Sequence, residues 1–330
     1  MLRPMTATPP TQSKRFLSGV QPSGQLHLGN YFGAIRGHLA RQDNAFYFIA
    51  DYHALTTIHD AQALRGHVFD VAATYLALGL DPQRACLFRQ SDVPEVTELT
   101  WLLSTVTPMG LLERAVSYKD KIQKGLPASV GLFTYPALMA ADILAYESDV
   151  VPVGPDQRQH VEITQDMAEA FNRTFGPVFK RPEYLLGTEV SVPGVDGAKM
   201  SKSYGNHIPI FAADKELKNK VMGIKTDSKG VADAKDPETC TVFTLYALFA
   251  TPEQKAEMAD RYRRGGMGYG DAKKALLALI DAHFAPARAR RAELDAHPER
   301  VEAALAAGAQ RARALARQVT DRARRAAGLH

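Results

Sequence analysis

Among 330 residues there are two cysteines, Cys86 and Cys240, far apart in the chain. That scarcity excludes a disulfide framework and a four-cysteine zinc site, and it fits a reducing compartment. Long apolar runs are missing as well: none approaches the roughly 20 residues of a membrane-spanning helix. Residues 1–14 are rich in Pro, Thr and Ser and lack the apolar centre of a signal peptide, so a disordered lead-in is expected there. No G-x-x-x-x-G-K-[ST] phosphate loop occurs, which excludes a Walker-type nucleotide site. The glycine-rich run from Gly265 to Gly270 follows no strand-like segment and reads as an inter-helix loop. The charge excess is small, +4, compatible with a polyanionic partner but not demanding one. Nor is there a recognisable nucleophile motif.

What is present is an alternation of short apolar strands and helices. Phe16 to Val20, Ala45 to Ala50 and Ala85 to Arg89 read as strands. Tyr31 to Arg41 and Ala61 to Leu78 read as helices between them. Buried strands separated by helices predict a doubly wound, parallel α/β sheet, with ligands beyond the carboxyl ends of the strands. After Gly205 the pattern turns helical: Lys215 to Met222, Pro252 to Arg263, Ala272 to Phe284 and Val301 to Ala327. The last carries Val301, Leu305, Gly308, Ala312, Leu315 and Val319 on one face. Its other face carries Arg311, Arg313, Arg317, Arg322, Arg324 and Arg325, either a solvated surface or a candidate nucleic-acid contact. A boundary near Gly205 divides a 15–205 domain from a helical 206–330 domain.

Four stretches carry candidate chemistry. Pro22-Ser23-Gly24-Gln25-Leu26-His27-Leu28-Gly29-Asn30 follows the first strand and opens a helix, an arrangement that favours anions. His27 and Asn30 would donate to a developing phosphate charge, Gly29 lets backbone approach a ligand, and Gln21 to Ser23 form a polar turn. Alternatively this is an ordinary strand-to-helix turn. Lys199-Met200-Ser201-Lys202-Ser203, between Gly194, Gly197 and Gly205, is suited to hold a polyphosphate, or else is an exposed basic loop. Tyr135, Met139 and Asp142 fall on one helical face, where they would offer an aromatic wall, a soft wall and one acceptor to a flat ligand. The alternative is a core helix in which Asp142 meets a neighbouring base or backbone N–H. Val151 to His160 reads as a strand end passing into a polar helix start. There Gly154 and Asp156 would meet a ribose and Gln157 an ammonium, unless Asp156 is only a helix cap.

The first two stretches resemble the HIGH-type and KMSKS signatures of class I aminoacyl-tRNA synthetases. With Ser18 to Gly24, Asp51 to Thr56, Met139 to Leu144 and Val151 to His160 in order, the chain from Phe16 onward resembles the bacterial tryptophanyl-tRNA synthetases. That resemblance implies a Rossmann-like catalytic core and a C-terminal all-helical anticodon-binding domain. It implies ATP, with Mg2+, as substrate, and no protein-bound metal. L-tryptophan and tRNA(Trp) would be the partners of a cytoplasmic homodimer that does not contact membranes. Asp142 would accept from the indole N–H, with Tyr135 and Gln157 at the ammonium, and Met139, His53, Val151 and Val153 lining the pocket. ATP would meet Gln21, Pro22, Ser23, Gly29, Asn30, Gly154, Pro155, Asp156, Val190, Lys199, Met200, Ser201 and Lys202. His27, Asn30, Lys121, Lys199 and Lys202 would serve catalysis.

Three positions depart from that family's pattern. Leu17 stands where some relatives have an aromatic residue, Pro155 where an acid is frequent, and Tyr204-Gly205-Asn206 where Asp-Pro-Asn is usual. Two other classes fit parts of the chain. A small-metabolite nucleotidyltransferase shares the HIGH-type turn but has no need of the basic helical half. A binding-only paralogue has no need of His27, Lys199 and Lys202.

Overall fold

The computed structural model describes residues 14–115, 118–119, 123, 129–154, 157–186 and 191–330. Five parallel strands, β1 (Phe16–Val20), β2 (Ala45–Ile49), β3 (Cys86–Arg89), β4 (Val150–Val153) and β5 (Glu183–Leu186), lie in the order β3-β2-β1-β4-β5. β2 is buried along its whole length, as a central strand covered on both faces must be. Its phenylalanines and Tyr47 each contribute on the order of 1.5–3 kcal/mol of burial. The chain runs from β1 to β2 on one side, then returns to place β4 on the other. The gap between β1 and β4 is therefore the topological switch point, where a doubly wound sheet opens a ligand crevice.

Helical structure follows β1 from Leu28 to Ala40. One turn within it is wider, because the Arg36 N–H reaches back five residues to the Tyr31 carbonyl. Tyr31 and Phe32 leave this segment to pack against Phe249 and Phe284 of the C-terminal half. The Val130–Leu144 helix is capped by Ser129, whose Oγ accepts from the Leu132 N–H at 3.2 Å. Beyond residue 205 the helices are Asp214–Met222, Thr241–Ala247, Pro252–Arg264, Tyr269–Ala296 and Pro298–Ala326. The Tyr269–Ala296 helix runs on well past the expected Phe284, with Pro286 inside it.

The last helix does not stay with its helical neighbours. It crosses back onto β3 and the Glu95–Ser104 helix, burying the face that sequence periodicity marks out, Val301, Leu305, Gly308, Ala312 and Val319. Gly308 permits the approach: a Cβ there would lie 2.0 Å from the Leu87 carbonyl oxygen. The arginine face is engaged by the chain itself. Arg311 donates to the carbonyls of Gln83 and Ala85, and Arg313 and Arg317 meet Glu95. Arg322 meets Glu147 and Arg324 meets Glu98. These guanidinium groups fasten the helix to the turn before β3, to the Glu95–Ser104 helix and to Glu147.

Candidate active site

A cavity of ≈ 480 Å³ opens at the switch point, walled by Leu17 and Gly19 of β1, by Val151 and Val153 of β4, and by the Val130–Leu144 helix. All seven residues expected around an amino acid, His53, Tyr135, Met139, Asp142, Val151, Val153 and Gln157, line it. The helical spacing does bring Tyr135, Met139 and Asp142 to one surface. Asp142 is 1% exposed. Its Oδ1 accepts from Gln90 Nε2 at 2.9 Å, and its Oδ2 accepts from the same amide at 2.8 Å and from His53 Nε2 at 2.9 Å. Burial pushes the Asp142 carboxyl up, while the His53 and Gln90 donors pull it back. Two protein donors reach the carboxylate, Gln90 Nε2 shared by both oxygens and His53 Nε2 on Oδ2, so Oδ1 keeps room for a further donor. Tyr135 OH bonds the His160 ring on the far wall.

A second cavity, ≈ 410 Å³, lies on the other side of the turn after β1. Ser23, His27, Gly29 and Asn30 form one wall; Val192, Lys199, Met200, Ser201, Lys202 and Ser203 form the other. The two walls are joined. Lys202 Nζ donates to the Ser23 carbonyl (3.0 Å), Ser23 Oγ (3.2 Å) and the Gly24 carbonyl (3.1 Å). The Leu28 N–H donates to the Ile208 carbonyl and the Ile210 N–H to the Leu26 carbonyl. The lysine loop is thus clipped to the N-terminal turn by its own lysine and by the backbone that follows it. Inside the loop Asn206, 3% exposed, accepts from the Ser201 N–H at 2.8 Å and donates to the Lys199 carbonyl at 3.2 Å and to Asp196 at 2.8 Å. Gly194 makes room for it, because a Cβ there would stand 2.4 Å from the Asn206 side chain.

The electrostatics of this cavity are those of an anion receptor. Burial, with Lys202 and His207 nearby, lowers His27 to about 4, so its imidazole is neutral near pH 7 and donates through one N–H. Its Nδ1 is buried with no protein partner. Lys202 is itself lowered by burial, partly offset by Asp70. Of the residues expected at ATP, Ser23, Gly29, Asn30, Lys199, Met200, Ser201 and Lys202 line this cavity. Gln21 and Gly154 line the first cavity instead, and Pro22 is buried within the connecting turn and lines neither. Lys121, Pro155, Asp156 and Val190 lie outside the described residues.

Residues 9–285 match the family described as tRNA synthetases class I (W and Y). The tryptophan–tRNA ligase of Rhodopirellula baltica is 54% identical over 96% of this chain and 99% of that protein. The one from Fusobacterium nucleatum is 50% identical over 96% and 98%. A solved tryptophanyl-tRNA synthetase from Campylobacter jejuni, complexed with ADP and tryptophan, is 48% identical, with a TM-score of 0.91 over 96% of this chain and 100% of that one. The chain belongs to the bacterial tryptophanyl-tRNA synthetases of class I.

Against that family, two of the three departures noted in the sequence have structural counterparts, Pro155 lying outside the described residues. Leu17 is 1% exposed and forms part of the cavity wall, where a branched aliphatic replaces a flat ring. In Tyr204-Gly205-Asn206, Tyr204 points to solvent, Gly205 takes a left-handed turn (φ 65°), and Asn206 is the residue that closes the synthetase loop. Several lining residues have no role assigned from the sequence: Ser18, Thr56 and His160, though within the matched stretches, and Phe48 and Thr57 outside them reach the first cavity from separate elements. Gln90, which holds Asp142, was missed altogether. The one clue to it is a polar residue directly after the apolar strand β3.

Proposed function

We infer that the chain is a tryptophan–tRNA ligase that activates L-tryptophan with ATP and then esterifies tRNA(Trp). The tryptophan carboxylate attacks the α-phosphorus of ATP, the bond to the bridging oxygen breaks, and pyrophosphate leaves. The terminal ribose hydroxyl of the tRNA then attacks the adenylate carbonyl and AMP leaves. The substrate is its own nucleophile, so positioning and charge stabilisation suffice.

The observation that carries this reading is the pair of cavities flanking the turn after β1, one mostly apolar with a single buried carboxylate, the other lined by lysines and hydroxyls. The indole fits the first, with its N–H toward Asp142, because indole N–H is only a donor. Tyr135 and Gln157 stand at the ammonium end. The phosphates fit the second, under His27, Asn30, Lys199 and Lys202. Lys121, Pro155, Asp156 and Val190 are proposed to complete the nucleotide site on resemblance alone. The lining of the second cavity includes no carboxylate, and among the described residues no cluster of His, Cys, Asp and Glu is placed to hold a metal ion. These residues do not fit a resident Mg2+, so we propose that Mg2+ arrives on the phosphates of ATP.

The helices after residue 205 are proposed to reach the anticodon, and the protein to work as a cytoplasmic homodimer. Exposed Trp101 and Met109 offer apolar surface to a second copy, which sedimentation would detect. Tryptophan-dependent exchange of pyrophosphate into ATP, with tyrosine as control, tests the activation step. Exchange that is equal with tyrosine, or that needs neither amino acid, would overturn the reading.

A further inference from the structure

Asp142 is held by a side chain that lines neither cavity. Gln90 is fully buried at the end of β3, and its amide bridges both carboxylate oxygens of Asp142. We propose that Gln90 is the positioning residue that presents Asp142 as an acceptor to the indole N–H and so sets tryptophan specificity; this rests on the reading of Asp142 given above.

The orientation of the amide is fixed by its other end. Gln90 Oε1 accepts from the backbone N–H groups of Tyr52 (3.1 Å) and His53 (3.4 Å), which can only donate. Nε2 must therefore face Asp142, and it can only donate there. Nε2 lies 2.9 and 2.8 Å from the two oxygens, so its N–H is shared between them and holds the carboxylate facing the amide. With His53 also on Oδ2, Oδ1 is the less occupied oxygen and is the one left for the ligand.

The setting makes that service necessary. Asp142 is buried, and Asp51 at the start of the short Asp51–Ala54 helix adds a second negative charge nearby. Tyr146, just past the end of the Asp142 helix, is buried and neutral. His53, on the Asp51–Ala54 helix, is the one other donor to the carboxylate among the described residues. Asp51 in turn is held by the Ser91 N–H at 2.9 Å, so the ends of β2 and β3 and the specificity helix form one polar network. A protonated Asp142 would spend its proton on a neighbour, or point it at the indole N–H, and lose its preference for tryptophan.

The test compares wild type, Gln90→Met and Gln90→Glu in adenylate formation across weakly acidic to weakly alkaline pH. The substrates are L-tryptophan and its benzothienyl analogue, in which sulfur replaces the ring N–H. Gln90→Met should lower kcat/KM for tryptophan by roughly tenfold to a hundredfold, the range for a bond to a charged group, and leave the analogue nearly unchanged. Its acid limb with tryptophan should move to higher pH. Gln90→Glu keeps the acceptor for Tyr52 and His53, and its protonated form donates to Asp142 as the amide does. It should keep part of the tryptophan activity while the two carboxyls share one proton, then lose it through a new alkaline limb. Should Gln90→Met fail to fold, Gln90→Glu decides.

Unchanged discrimination between the two substrates, with no new or shifted limb, would overturn the role of Gln90. Asp142→Asn run alongside separates the two claims. Equal losses for tryptophan and analogue there would sink the reading of Asp142, and this proposal with it. A tryptophan-selective loss in Asp142→Asn but not in the Gln90 variants would sink the role of Gln90 alone.

Discussion

The two cavities solve opposite problems with opposite materials. The first holds one negative charge in an apolar wall and freezes it: every group around Asp142 sits on a strand end or a helix and is itself hydrogen-bonded. The second gathers positive and polar groups on a loop, held by the Asn206 and Lys202 side chains and by the backbone pairing of Leu26 and Leu28 with Ile208 and Ile210. Discrimination between amino acids needs a rigid acceptor, since a donor lost against a fixed partner is expensive. Stabilising pyrophosphate as it departs needs charges that come in over the ligand and later let it go. The contrast is thus between a recognition site built into the sheet and a catalytic site attached to it.

The sharpest way to break that comparison is Asp142→Ala. It should cost tryptophan roughly 2–4 kcal/mol in kcat/KM while leaving the benzothienyl analogue much less affected. Because the change also strands the Gln90 amide and His53, a thermal melt is the necessary control. Equal losses for both substrates, with a lowered melting point, would make Asp142 a structural residue. Next in size is Lys202→Ala, expected to slow adenylate formation by about 3 kcal/mol of barrier with little change in tryptophan affinity. Rapid-quench rates equal to wild type would remove it from the phosphate site.

Asn206→Ala sharpens the contrast, because it loosens the loop without touching a charge. Loss of its buried bonds should cost about 1–2 kcal/mol in kcat and leave tryptophan binding by titration unchanged. A parallel fall in tryptophan affinity would mean that the two cavities are mechanically one. The smallest effect is the pH response of His27. Its folded value of about 4 lies below the ordinary 6.5, so its imidazole is neutral through weakly acid and neutral pH. Protonation favours the unfolded chain here, so its contribution to stability is complete above 6.5 and falls away as pH drops toward 4. Activity should therefore show no limb near 6.5 that disappears in His27→Asn; such a limb in the exchange assay would contradict the buried, neutral histidine.

The sheet and the first cavity were largely legible in the sequence, for a local reason. The continuous apolar run of Ala45–Ile49 and the spacing of Tyr135, Met139 and Asp142 are properties of single elements. What the sequence withheld depends on elements meeting. Gln90 is one glutamine among many until β3 and the Asp51–Ala54 helix carry it under Asp142. The arginines of the last helix leave a solvated face and a nucleic-acid contact both open, because charge pattern says nothing of partners; Glu95, Glu98 and Glu147 of the first half of the chain pair with several of them. Gln21 shows a finer limit. Only Pro22 separates it from Ser23, yet the two line different cavities.

The return of the last helix to β3 also orders events during synthesis. β3 is an edge strand, paired only with β2 on one side, and its covering, Pro298–Ala326, is made some two hundred residues later. While the ribosome is still translating the helical half, that edge stands open, and an open edge is a template for pairing with another chain. Closing it joins residues far apart in sequence, a contact that carries a high loop-closure entropy and forms late. Gly308 against Leu87 and Arg311 on the Ala85 carbonyl are the contacts that close this edge, and they become available only once the last helix has been made.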